Sequence, residues 1–275
     1  MKSLALAQRM LGRPLALTPD RMEVVRHLLA HGSDDMAMFG PIQEKADRDP
    51  VLGTVISDVA IIPVSGVLLP GESPGWWWSG ATFYEDINVA FQQAIDAPSI
   101  KAIVLLVDSP GGTVAGCFDL ADRIYEGRGA KPIVAIVNES AYSAAYALAS
   151  SADTIIVPRT GGVGSIGVVG MHVDITGALE QAGIKVTTFQ FGDQKTDSYP
   201  TTTMSEEAAK RFQADIDAMG ELFVATVARN RDIPADRVRA TQAGTFLGQR
   251  GVDAGLADAV MGAEAAFREL LDTIG

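Results

Sequence analysis

Between residues 59 and 191 short apolar runs alternate with amphipathic helical stretches, and that alternation leaves few architectures open. The run Ala102-Ile103-Val104-Leu105-Leu106-Val107 carries no polar residue on either side of its pleat. A strand of that kind needs cover on both faces, as parallel strands in α/β proteins have. Further strands are predicted at 59–64, 133–137, 154–157, 168–173 and 186–191, and helices at 83–97, 117–126, 143–151 and 176–182. The expected fold class is α/β, a mainly parallel sheet with helices outside it. A long helix is expected over 205–230, with Ser205 as N-cap and Glu206 and Glu207 facing the positive end of the helix dipole.

Residues 1–50 read as a leader and 51–275 as the α/β domain. In the leader, Thr18 and Pro19 are suited to a helix start, and Met22, Val25, Leu28 and Leu29 supply its apolar face. A polar segment follows, from His31-Gly32-Ser33 to Asp49-Pro50. His27 and His31 stand four apart, a metal-binding spacing, but no carboxylate or cysteine cluster accompanies them, so they read as a surface pair and no metal is expected.

The net charge of −12 argues against unaided binding of nucleic acid or of an anionic membrane surface. Cys117 is the single cysteine, which points to a reducing compartment, and its neighbours Val114, Ala115, Gly116 and Phe118 mark it as a small buried hydrophobe. The first ten residues begin like a signal peptide, but Gln8 and Arg9 interrupt the apolar run. No stretch reaches the roughly 18 apolar residues of a membrane span. The expectation is a cytoplasmic chain with no membrane anchor.

Three glycine-rich or small-residue loops follow strand ends, where open α/β folds build their sites. In Asp108-Ser109-Pro110-Gly111-Gly112-Thr113, proline sets a turn and the two glycines free backbone N–H groups to hold a developing oxyanion. A plain strand-to-helix turn explains the same residues. Asn138-Glu139-Ser140-Ala141-Tyr142-Ser143-Ala144-Ala145 places Ser143 at a helix start, as a nucleophile or simply as an N-cap, and Ser140 competes for both roles. The third loop, Gly161-Gly162-Val163-Gly164-Ser165-Ile166-Gly167, lacks the Lys-Ser/Thr of a phosphate loop and reads as a tight turn with Ser165 as polar support. A serine needs a base, and the three histidines, His27, His31 and His172, share no local motif with Ser143. Lys195, in Phe191-Gly192-Asp193-Gln194-Lys195, is a base of the right kind once its amine is neutral. That requires desolvation, so Asp193 and Asp197 are expected to face away.

These segments, with Gly244-Thr245-Phe246-Leu247-Gly248, Gly251 and Gly255-Leu256-Ala257-Asp258-Ala259-Val260, resemble the signal peptide peptidase A family in order and spacing over residues 55–262. The resemblance implies a Clp/crotonase-like fold and a Ser–Lys serine peptidase without cofactor. It assigns Ser143 as nucleophile, Lys195 as general base and Ser165 as the serine that orients the lysine. The oxyanion hole falls to Gly112 and Ala144, with Gly111 beside them. Where that family has glycines after the nucleophile, this chain has Ala144 and Ala145.

Within the family, the chain resembles the single-copy phage head-maturation (prohead) proteases, through Ile61-Ile62-Pro63-Val64-Ser65-Gly66-Val67-Leu68 and Gly170-Met171-His172-Val173-Asp174. That implies scaffold, portal or capsid proteins as substrates, a homo-oligomer, and a location in the host cytoplasm or inside the immature capsid. In single-copy members the lysine can come from the neighbouring subunit. A cytoplasmic bacterial protease of the same family is the alternative. Outside it stand an acyl-CoA enzyme of the crotonase type, which lacks an evident basic cluster for nucleotide phosphates, and a non-catalytic assembly subunit, which leaves Ser143 and Lys195 unexplained. Trp76-Trp77-Trp78, in a Gly/Pro/Ser loop, reads as a subunit contact, a lip over the cleft, or a loop folded on its own subunit.

Overall fold

The apolar run at 102–107 becomes the centre of the sheet, and its side chains alternate between two cores. The computed structural model describes residues 15–17, 54–73 and 81–275. Strand β5 (Ala102–Thr113) lies between β3 (Val59–Leu69) and β6 (Ile133–Tyr142), followed outward by β7 (Thr154–Val157) and β10 (Ala259–Val260), all parallel. The hairpin strand β2 (Val55–Ile56) closes the other edge antiparallel to β3. Ile103, Leu105 and Val107 face a core shared with helices α1 (Tyr84–Asp96), α2 (Cys117–Glu126) and α3 (Ala144–Ser150). Ala102 and Val104 face the opposite way, against Ala266 and Leu270 of the last helix. The fully apolar strand is thus explained by cover on both faces.

Each central strand then bends. The register shifts between Ser65 and Val67 of β3 and between Val107 and Ser109 of β5, as bulges do where a strand changes course. Past the bulges, short strands join the distal ends. The strand β4 (Ala81–Phe83) pairs with β3, and β8 (Gly162–Gly164) with β6. The strand β9 (Thr245–Leu247) runs antiparallel to β8, and β1 (Leu15–Leu17) antiparallel to β5. The expected 108–114 turn is therefore mostly strand. Its glycines pair with residues far away in sequence, which local turn signals do not register.

The helix expected at 205–230 is α5 (Glu206–Arg231), after the short α4 (Thr176–Gln181); the Ser205 hydroxyl accepts the Ala208 N–H at 3.1 Å. The chain does not end on it. The helices α6 (Ala235–Arg239), α7 (Gln249–Asp253) and α8 (Ala263–Ile274) follow, and α8 covers the second face of the sheet. Two expected strands do not form. Residues 168–173 hold only an isolated bridge and 186–191 are irregular, with Phe189 92% and Phe191 101% exposed. β-branched and aromatic residues favour strands by fitting a half-buried pleated surface, and no neighbouring strand supplies one here. The leader helix expected from Thr18, the His27/His31 pair and the tryptophan run lie outside the described residues. Among those described, no helix is long and apolar enough to cross a membrane.

One side chain fastens the helix that carries the candidate nucleophile. Arg128 donates from Nε to the Ser151 carbonyl at 2.9 Å and from Nη2 to those of Ser150 at 2.8 Å, Asn230 at 3.1 Å and Ala152. It thereby caps the carboxyl end of α3, where orphan carbonyls meet a cation at the negative end of the dipole. Arg128→Ala leaves those carbonyls unpaired and is expected to cost about 2–4 kcal/mol in urea unfolding. Arg128→Lys should recover only part, because an ammonium lacks the planar fork.

Candidate active site

Strands β5 and β6 keep parallel register up to Ser109 opposite Ala141, and then part. Ser143 sits where β6 turns into α3, at φ 53° and ψ −123°. That conformation favours glycine, and a non-glycine residue holds it only where surroundings enforce it. Two bonds enforce it here: the Ser143 N–H donates to the Gly164 carbonyl at 2.8 Å, and the Ser143 carbonyl accepts the Ala147 N–H at 3.0 Å, opening α3. Ser143 is 1% exposed, and its Oγ finds no hydrogen-bond partner among the described residues. An unpartnered buried hydroxyl on a strained turn costs stability and calls for a functional reason.

Strand β8 brings Ser165 alongside. Tyr142 is opposite Gly164, so Ser143 and Ser165 are the next residues on neighbouring strands. Ser165 is also left-handed, at φ 55°, and its N–H donates to the Gly244 carbonyl at 2.8 Å. The carboxy-terminal motif thus acquires a physical role: Gly244 and β9 brace the Ser165 turn. A Cβ at Gly164 would lie 2.6 Å from the Gly244 carbonyl oxygen, so that approach requires glycine.

The distal end of β5 supplies the opposite wall. The Ser109 hydroxyl, fully buried, donates to the Gly66 carbonyl at 2.6 Å and accepts the Gly111 N–H at 3.1 Å. The Gly111 amide is therefore committed to Ser109 and shapes the strand, whereas Gly112 and Ala144 remain the oxyanion-hole candidates. A Cβ on Gly112 would stand 1.9 Å from the Leu68 carbonyl oxygen, so only glycine fits between β3 and the site. Behind this wall the Tyr84 hydroxyl donates to the Thr113 carbonyl at 2.7 Å. Burial pushes the Cys117 thiol up to about 12, which keeps it protonated and makes it part of the packing.

The structure brings together Ser143, Ser165, Gly111, Gly112 and Ala144. No hydrogen bond joins Lys195 to them among the described residues. Lys195 is exposed on a short turn, its N–H donating to the Gly192 carbonyl at 3.2 Å, and no ion pair or hydrogen bond engages its amine among the described residues. Asp197 is held elsewhere, its carboxylate on Arg211 at 2.7 Å. The segment around Lys195 exposes Ile184, Val186, Phe189, Phe191 and Tyr199. Sequence reasoning passed over Ser109, Tyr84 and Arg128. Ser109 stood in plain view within its motif, but its acceptor, the Gly66 carbonyl, is 43 residues away.

Comparison with known proteins places this arrangement. A family model described as Peptidase family S49 matches residues 127–274, which take in Ser143, Ser165 and Lys195. The chain belongs to peptidase family S49. It is 39% identical over 216 residues to "Head-tail preconnector protein GP5" of Enterobacteria phage P21, covering 78% of this chain and 42% of that protein. It is 33% identical over 252 residues to "Capsid assembly protease C" of Escherichia phage lambda, covering 92% and 55%. "Putative signal peptide peptidase SppA" of Enterococcus faecium is 28% identical over 174 residues, 62% of this chain and 51% of that one. The chain thus spans about half the length of these phage relatives. The mostly parallel sheet with flanking helices agrees with the Clp/crotonase-like fold expected for S49.

Proposed function

We propose that this chain is a serine endopeptidase with a Ser–Lys dyad that acts in phage head maturation. The observation that carries the reading is Ser143 itself: a hydroxyl on a strained turn, unpartnered among the described residues, between the Gly112 strand and the Ser165 turn. In the proposed mechanism Ser143 Oγ attacks the scissile carbonyl and passes its proton to the Lys195 amine. The Gly112 and Ala144 N–H groups receive the oxyanion, and the Ser165 hydroxyl orients the amine. The ammonium so formed then gives that proton to the leaving nitrogen, and water, deprotonated by the regenerated amine, releases the acyl group by the reverse path. The names of the two phage relatives, a head-tail preconnector protein and a capsid assembly protease, support a role in capsid assembly; the substrates on this reading are scaffold, portal or shell proteins, met in the host cytoplasm or inside the immature capsid.

The dyad closes between subunits. A lysine base must be neutral, hence desolvated, and Lys195 is exposed on its own chain within an apolar surface segment that a second copy would cover. The test mixes two inert variants. Ser143→Ala and Lys195→Ala subunits, exchanged at equal amounts, should restore about a quarter of the wild-type rate, because half the sites keep the serine and half of those meet an intact lysine. No recovery after exchange confirmed by mass would place both residues in one chain. Coexpression with portal and scaffold proteins, read by mass spectrometry, identifies the substrate; their survival intact beside the active enzyme would remove the head-maturation role.

A further inference from the structure

Strand β5 has two edges, and its distal end reveals what occupies the second. One edge is held by β3 as far as Leu68 opposite Gly112. The other is held by β6 only to Ser109 opposite Ala141. Carrying that register two residues onward would put Gly111 opposite Ser143, but β6 has already turned into α3. The vacated edge is taken by β1, antiparallel, with Leu17 opposite Gly111, Ala16 opposite Gly112 and Leu15 opposite Thr113. Because β3 fills the first edge at Gly111 and Gly112, β1 lies on the Ser143 side. An extended piece of the chain thus crosses the mouth of its own candidate site, on the strand that carries the oxyanion glycine.

We propose that Leu15-Ala16-Leu17 is a built-in competitor that occupies the peptide-binding edge of β5 and must leave before another extended peptide enters. The proposal rests on the peptidase reading for the meaning of that edge. Exposed strand edges recruit extended peptides through main-chain hydrogen bonds, so a segment of the same chain seated there excludes an outside peptide directly. The strand is short, and Pro14 and Pro19 bracket it in sequence, so neither flank offers a run of amide donors to lengthen the ladder. A three-residue ladder gives an occupant that can be displaced.

The test is made on full-length Ser143→Ala protein, so that no cleavage removes the leader. In the second variant Leu15→Pro, Ala16→Pro and Leu17→Pro are combined, which removes all three N–H donors. Hydrogen exchange over 108–114 should speed up in the proline variant and slow again when a synthetic peptide of residues 12–20 is added. The same peptide, fluorescein-labelled, should bind the proline variant about tenfold more tightly than the variant with its leader intact, since a tethered competitor lowers apparent affinity by the fraction it occupies. Unchanged exchange would show that β1 does not hold β5, and equal affinities would show that it does not compete; either result overturns the proposal. Failure of wild-type enzyme to cut any substrate counts against the peptidase reading alone, because both of these measurements are independent of cleavage.

Discussion

Ser143→Ala is expected to lower cleavage of an unfolded protein substrate by about ten-thousandfold or more while leaving the fold intact. The loss follows from chemistry, since alanine has no oxygen to form the acyl-enzyme. The fold survives because the Ser143 hydroxyl makes no hydrogen bond among the described residues, so its removal breaks none there. Backbone strain makes the prediction sharper. At φ 53° and ψ −123° alanine keeps the steric cost that serine carries, whereas glycine escapes it. Ser143→Gly should therefore be equally inactive yet more stable than Ser143→Ala, by about 1 kcal/mol in urea unfolding after glycine's extra unfolded-state entropy is subtracted. Intact mass and circular dichroism verify that both variants are whole and folded. Undiminished cleavage by Ser143→Ala would remove Ser143 as the nucleophile, with Ser140 next in line.

Gly112→Ala is the second large effect, and it acts through geometry. The added methyl would meet the Leu68 carbonyl oxygen at 1.9 Å and the Leu68 carbonyl carbon and Cβ at 2.6 Å, none of them the far end of a flexible side chain that could give way. The strand must shift and carry its N–H with it. Loss of one oxyanion donor lowers kcat about 10²- to 10³-fold. Overpacking of this kind costs a further 1–3 kcal/mol or so in stability. Single-turnover kinetics should show acylation slowed with KM little altered. By contrast Gly71→Ala, where a Cβ would meet nothing within 4 Å, should leave kcat unchanged, although φ +80° makes it mildly destabilising. A Gly112→Ala enzyme with wild-type kcat would take this amide out of the oxyanion hole.

The parts of the fold legible in the sequence are those whose signal is local. The helices at 117–126 and 206–231, and the central strands, declare themselves through apolar spacing and a capping serine, and they formed nearly where expected. The failures share a cause. Residues 168–173 and 186–191 carry the composition of strands, but a strand exists only with a partner, and that information is not local. The same holds in reverse at 108–114, where turn-forming residues were drawn into β5 by pairing with 67–68 and 15–17. At the candidate site, the loops carrying Ser143, Ser165 and Gly112 could be located because small residues after strand ends are a local cue, while the choice of Ser143 over Ser140 and the roles of Ser165 and Gly112 came from the family resemblance. Ser109 and Tyr84 were not legible, because their roles depend on carbonyls 43 and 29 residues distant.

The fork between β5 and β6 has a consequence for selectivity. Beyond Ser109 the row beside β5 is filled by Leu15–Leu17 and not by β6, and on the proposal above a peptide that takes that place must first present bare main chain. Folded domains have already spent their amides and carbonyls on themselves, so they are poor guests, while tails and unwound segments fit with little regard to their side chains. On that proposal, discrimination at the slot would rest on whether a segment can be straightened, more than on which residues it contains. An enzyme that reads its targets in that way is safe only when its company is chosen for it, by confinement or by a stopper of its own.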